Sequence, residues 1–219
     1  LVDIAPELDG AMDFIDKFSK RVHISLAHSE AGYDIAMEAF AKGADHVTHL
    51  YNAMKPFHHR DTGIIGAAFD CPKVFAEIIV DGIHVSKSAV TTAFKMLGSD
   101  RIVMISDSCR ACGMEDGEYD LGGQKVYKKG KLATLSDGVT LAGSVTNLMD
   151  CMRTAVLEMG LSLTDVVKAC CVNPVRSIGA FEHYGSLDEG KEADIVILDK
   201  GLNIVEIIKA GKRVVNKYE

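Results

Sequence analysis

The chain lacks a surplus of positive charge: 24 Lys and Arg stand against 31 Asp and Glu, giving a formal net charge of −7. Nucleic acid and anionic membrane both demand a basic face, so neither is expected as the main partner, and an anionic small molecule would need a local cationic pocket. No apolar run approaches the ~18 residues that read as a membrane span, and no basic-then-apolar leader opens the sequence. The six cysteines (Cys71, Cys109, Cys112, Cys151, Cys170, Cys171) lack the dense spacing of a disulfide scaffold, which points to a reducing compartment, and the cytoplasm is the expected location. Cys109-Arg-Ala-Cys112 has the spacing of a metal or redox pair but lacks the second pair a structural zinc site needs. Internal repeats, low-complexity stretches and disordered linkers are missing as well.

What remains is ordinary globular material, 47% hydrophobic and 25% charged over 219 residues, enough for one large or two small domains. Up to about residue 107 strand-like and helix-like segments alternate, the signature of parallel βα units. Five strands are predicted, at 2–7, 23–28, 45–50, 75–81 and 101–107. Helices are expected at 9–18, 33–42 and 88–97, the second stopped by Gly43 as a C-terminal cap. A longer loop, 52–63, carries Pro56, His58, His59 and Arg60. Beyond Asp107 the rhythm becomes Gly-rich and hairpin-like across 117–143, which reads as an insertion. Helices follow at 145–159 and 163–171, the latter with Ser162 and Asp165 placed as a capping box. The tail, with short strands at 195–198, 204–208 and 214–215, reads as part of a small β-domain, dividing the chain into 1–183 and 184–219. Five parallel strands cannot close a (β/α)8 barrel, so the simplest account places about three βα units upstream of this chain; an open doubly wound sheet accepts five strands equally well.

The chemistry-bearing residues cluster at the ends of these strands. Side chains alternate along a strand, which groups Ile24, Leu26 and His28, then Val47 with His49, Val103 with Ile105 and Asp107, and Asp3 with Ala5 and Glu7. His23 and His46 fall on the opposite face. Each strand thus ends in a polar group at the carboxyl end, where parallel α/β enzymes place their sites. A lone histidine at a strand end is ordinarily a hydrogen-bonding residue. Two neutral imidazoles on adjacent strands suit a divalent metal such as zinc or iron, whose bound water loses its proton near neutral pH. Asp107 is placed to accept that proton and return it to a leaving group. Glu7 reads as a residue that orients a neighbour rather than as a ligand. His58-His59-Arg60 offers a cation suited to a phosphate, or else a solvated polar loop. His84 either binds substrate or caps the following helix, and Thr140-Leu-Ala-Gly-Ser144 is a small-residue turn that lets a ligand approach backbone or starts a helix.

At these residues the sequence resembles the N-acetylglucosamine-6-phosphate deacetylases of the amidohydrolase superfamily. The matching pieces are Ala5-Pro-Glu7, Ala27-His-Ser29, Thr48-His-Leu-Tyr-Asn-Ala-Met54, His59-Arg60, Asp81-Gly-Ile-His84, Ser106-Asp107, Thr140-Leu-Ala-Gly-Ser144, Asn173-Pro174 and the stretch from Gly185 to Asp194. The resemblance implies a metal-dependent hydrolase with a (β/α)8 TIM barrel, of which about the last five strands are present, plus part of a small β-sandwich. It implies hydrolysis of the acetamide of N-acetylglucosamine 6-phosphate to glucosamine 6-phosphate and acetate. His28 and His49 match metal ligands for zinc or iron, and Asp107 the catalytic acid/base. Asn52, Ala53 and Arg60 match positions that hold the sugar phosphate, Arg60 acting across a homodimer interface; His84 matches a substrate-binding histidine, and Leu141, Ala142 and Gly143 a segment lining the sugar pocket. The family's metal-binding Glu comes from a His-Leu-Glu-Gly-Pro segment absent here, as is an early His-x-His, so the 219 residues alone are expected to be inactive. Ser108-Cys109 stands where the family has small apolar residues. The rival readings are an amidohydrolase acting on a cyclic amide or another N-acetyl sugar, and a non-enzymatic sugar-phosphate binding protein.

Overall fold

The computed structural model describes residues 1–214. Five parallel strands, β1 (Val2–Ile4), β2 (Ile24–Leu26), β3 (His46–Val47), β4 (Phe75–Ile79) and β5 (Ile102–Ile105), pair in the order of the sequence. Leu26 stands beside Val47, Val47 beside Ala76 and Ala76 beside Ile102. Helices α1 (Ala11–Phe18), α2 (Tyr33–Lys42), α3 (Gly63–Asp70) and α4 (Lys87–Leu97) follow the first four strands in turn. Helix α3 escapes prediction because Gly-Ile-Ile-Gly-Ala-Ala is buried all round; with no polar face there is no helical period to see. Gly43 caps α2 as expected, at φ 113°, its N–H reaching the Ala39 and Phe40 carbonyls.

The core lies between the sheet and its helices. Ile24, Leu26, Val47, Ile78, Ile102 and Met104 pack there with side chains from every flanking helix, and all are 2% exposed or less. The other face is more polar: the Thr48 hydroxyl donates to Asp3 Oδ1 at 2.9 Å and shares a 2.6 Å hydrogen bond with Ser25. The expected grouping of His28 with Ile24 and Leu26, and of His49 with Val47, on one site-facing side therefore does not hold. Those apolar residues face the helices, and the strands stop before either histidine is reached.

Two residues close the frame. The Arg101 guanidinium donates to the carbonyls of Ala68 (2.9 Å), Cys71 (2.7 Å) and Leu97 (3.0 Å), satisfying the carboxyl ends of α3 and α4 together. Asn173 is fully buried and donates from Nδ2 to Ser99 O (2.7 Å) and Ile102 O (2.6 Å) at the start of β5.

Between β5 and the late helices lies a separate antiparallel sheet, β6 (Gly117–Leu121), β7 (Gln124–Lys129) and β8 (Leu132–Thr134), within the insertion that the sequence marks. Helix α5 (Leu148–Arg153) runs on as a π-helical turn, Thr154–Glu158; α6 (Leu163–Val167) does the same through Lys168–Val172 into α7 (Asn173–Ser177). Ser162 stands at the N-cap of α6 but its side chain accepts no capping bond, so the capping box is not formed. The tail is a three-stranded antiparallel sheet, β9 (Ile195–Leu198), β10 (Ile204–Lys209) and β11 (Lys212–Val214), tied to α5 by Arg153 Nε donating to Leu202 O at 3.0 Å. Val215, placed in the last expected strand, lies outside the described residues. No helix among the described residues is long and apolar enough to cross a membrane.

Candidate functional site

His28, His49 and Asp107 each follow a short strand, and each has left-handed backbone, with φ of 47°, 37° and 49°. Such conformations cost an L residue on the order of 1 kcal/mol or more and persist only where the surroundings enforce them. Here the enforcing contacts are visible. Glu7, within the first βα loop, accepts from the Ser29 hydroxyl at 2.6 Å and from the Glu30 N–H at 2.8 Å, gripping the residues directly after His28. Ser29 N–H donates to Ala53 O at 3.1 Å and Lys55 N–H to Ser29 O at 3.3 Å, which laces the His28 loop to the His49 loop. Beyond His49, Leu50 N–H donates to Glu77 O on β4 at 2.7 Å, and both the backbone and side-chain amides of Asn52 donate to His49 O. Tyr51 and Ala53 are left-handed too, at 78° and 47°. These turns redirect the histidines that strict alternation would have sent toward the helices.

The result is a pair of imidazoles with Nε2 atoms 3.0 Å apart and ring planes 75° to one another. Two nitrogens bound to one tetrahedral zinc-like ion at ~2.0 Å would stand roughly 3.3 Å apart, so the pair is close to the edge of a coordination shell. Burial lowers the pKa of His49, and the neighbouring His28 lowers it further; Asp107 opposes them only in part. A neutral imidazole is the ligating form, so the donor set fits a divalent transition metal.

Asp107 lies two strands from His49, with no direct bond to it, and its charge is felt there through space. Its backbone is locked to the segment returning from the antiparallel sheet: Ser144 N–H donates to Asp107 O at 2.8 Å, Cys109 N–H to Ser144 O at 2.9 Å, and the Ser144 hydroxyl to Ser106 O. Gly143 sits against this loop at φ 61°, where a Cβ would stand 3.2 Å from Cys109 Cβ and 3.3 Å from Asp107 O. Gly143 thereby comes beside Asp107, while Ala142 N–H donates to Ala133 O and Leu141 pairs with Thr134 next to the antiparallel sheet.

His84 has a 7% exposed side chain whose Nδ1 lies 2.7 Å from Asp81 Oδ2, while Asp81 Oδ1 accepts the N–H groups of Ile83 and His84. Burial alone would raise the Asp81 carboxyl, but the hydrogen bonds from His84 and the backbone outweigh it and hold the group below the usual range. The Asp81 anion fixes the Nδ1–H tautomer, leaving Nε2 as the free acceptor. N-terminal capping of α4 falls to Ser86 instead, which accepts from Ala89 N–H. Arg60 stands apart from the imidazole pair. It is exposed, donates from Nη1 to His59 Nε2 at 2.8 Å, and lines an open cavity of about 630 Å³ with Gly32, Tyr33 and Thr62 that includes none of His28, His49 and Asp107. The orienting role expected of Glu7 takes the form of this clamp, but its partner Ser29 and the role of Ser144 are absent from the sequence reading, since bonds between distant loops leave no local period. His23 and His46 meet around Asp45 at the opposite ends of the strands.

A parallel sheet covered by helices, with paired imidazoles and a carboxylate following its strands, is an arrangement on which metal-dependent hydrolases are built. The amidohydrolase family profile matches residues 4–214, and the chain belongs to that family. Within it the chain is 38% identical over 212 residues to the N-acetylglucosamine-6-phosphate deacetylase of Bacillus subtilis, covering 96% of this chain and 53% of that protein. It is 35% identical over 208 residues to the N-acetylgalactosamine-6-phosphate deacetylase of Escherichia coli O157:H7, covering 94% of this chain and 55% of that one. The solved structure of the Mycobacterium smegmatis N-acetyl-D-glucosamine-6-phosphate deacetylase bound to N-acetyl-D-glucosamine 6-phosphate matches with a TM-score of 0.93 at 35% identity, over 98% of this chain and 57% of that one. The chain spans about half the length of the curated relatives it matches.

Proposed function

We propose that this chain forms the larger part of the catalytic half of an N-acetylglucosamine-6-phosphate deacetylase, releasing acetate and glucosamine 6-phosphate. The observation that carries the reading is the His28–His49 pair, held 3.0 Å apart by left-handed turns at matching strand ends. His28 and His49 would hold one divalent cation, zinc or iron. When bound, that ion lowers the pKa of water and polarises the amide carbonyl. Asp107 takes the proton of the attacking water and then delivers it to the departing amine nitrogen, a step that amide cleavage requires because an amide anion is a very poor leaving group. His84, tautomerically fixed by Asp81, accepts a hydrogen bond from substrate through Nε2. Asn52 and Ala53 line the phosphate side, with Arg60 completing it across a homodimer. Leu141, Ala142 and Gly143 wall the sugar pocket. Residues 1–183 are the partial barrel domain and 184–219 part of a small β-sandwich, in a cytoplasmic enzyme.

The test is acetate release by the complete gene product from N-acetylglucosamine 6-phosphate, its galacto epimer and unphosphorylated N-acetylglucosamine. The epimer belongs in the set because a relative named for it is almost as similar as the gluco enzyme. Preference for the gluco phosphate by at least ~10-fold in kcat/KM is expected, a difference of ~1.4 kcal/mol in transition-state binding. Equal rates with and without phosphate would refute the substrate assignment.

A further inference from the structure

A second cluster of ligand-type side chains lies at the amino ends of β2 and β3. His23 Nδ1 is 2.6 Å from Asp45 Oδ2, His46 Nδ1 is 2.7 Å from Asp45 Oδ1, and one ligand atom from each residue falls within 4.8 Å of the others. Strands rise ~3.3 Å per residue, so the five residues from His23 to His28 separate the two clusters by on the order of 15 Å. Nothing in the deacetylation scheme uses the residues at this end.

We propose that His23, Asp45 and His46 form a second divalent-cation site, structural in role, that takes a borderline metal of the zinc type. The donor set is two imidazoles and one carboxylate, three protein ligands that leave a fourth position for water. Its parts are already in place. His46 is 1% exposed and stacked against Phe75 with centroids 5.7 Å apart, so its ring is fixed before any ion arrives. His23 and Asp45 keep 39% and 34% of their side-chain surface, which leaves an approach from solvent. Asp45 is ionised: burial pushes its carboxyl up, but hydrogen bonds from His46 and His23 more than reverse that.

The proton placement is compatible with an ion. Without one, each imidazole presents Nδ1–H to Asp45, and His46 Nε2 becomes a buried lone pair with no partner among the described residues. A cation at Nδ1 moves that proton to Nε2.

The experiment uses the complete gene product carrying His28→Asn and His49→Asn, stripped with chelator and titrated with Co2+ and then Zn2+. One equivalent of Co2+ with visible d–d absorption, displaced by Zn2+, and an upward shift of Tm on Zn2+ addition are expected. Adding His23→Gln should weaken binding at least ~10-fold, and Asp45→Asn should weaken it further. His23 is partly exposed, so His23→Gln keeps the test alive if the Asp45 variant does not fold, with circular dichroism confirming the fold. In the otherwise unaltered protein His23→Gln should remove one equivalent of bound metal and leave kcat unchanged. No bound Co2+ in the double variant, binding indifferent to His23→Gln, or a fall in kcat with that substitution would each overturn the proposal.

Discussion

The parallel sheet and the antiparallel excursion at 117–134 sit side by side in the chain but are built differently. The first buries almost every residue on its helix-facing side. The second has a core of Val126, Ala133 and Ala142, helped by Cys109, Leu135 and Val145, and most of its strand residues are exposed. The frame supplies the imidazoles, on strand-end turns held by hydrogen bonds between its own loops. The excursion returns through Leu141–Ser144 to grip the Asp107 loop, so the carboxylate is seated by both regions at once. The geometry of the proposed proton-transfer group is thus exposed to disturbance from a segment that adds little to the core.

The comparison is broken first at Asp107. Asp107→Asn in the complete enzyme should lower kcat by at least about a hundredfold with KM little changed, because the lost group transfers a proton rather than binds; wild-type-like turnover would remove the residue from the mechanism. Next comes the joint. Gly143→Ala places a Cβ at φ 61° against Cys109 and Asp107 O, and should cost on the order of 1–2 kcal/mol in urea unfolding together with a several-fold loss of kcat. Full retention of both would show that the excursion does not seat Asp107. In the frame, Asn173→Ala strips the donors from two carbonyls and should cost about 2 kcal/mol in stability, leaving kcat per folded molecule intact. The smallest effect separates two serines. Ser86→Ala should cost about 1 kcal/mol, as its hydroxyl caps α4, while Ser162→Ala should shift the unfolding midpoint less, since its side chain makes no capping bond. Equal shifts would deny the difference.

Alternating apolar and helical segments, Gly43 and the turn residues reveal the βα rhythm of residues 1–107 from sequence because each is a local signal. Helix α3 is hidden by its uniform burial, and the π-helical turns at Thr154–Glu158 and Lys168–Val172 leave no mark on the pattern of residue types. The capping box at Ser162 and Asp165 has the right letters, but its side chain is not used. At the site, the strand-end positions of His28, His49 and Asp107 are legible, yet the face argument that groups the histidines with Leu26 and Val47 is not what brings them together. Left-handed turns do so, and these depend on Glu7, Ser29 and Ser144, contacts between residues 22 to 38 apart in sequence that no local rule contains.

Those left-handed residues have an evolutionary corollary. Glycine would sit there at ease, and at the exposed positions His28 and Asp107 it would relieve backbone tension while deleting the side chains that the proposed chemistry uses. Under the proposed chemistry, robustness and activity therefore make opposite demands at the same two positions, a trade-off written into the main chain.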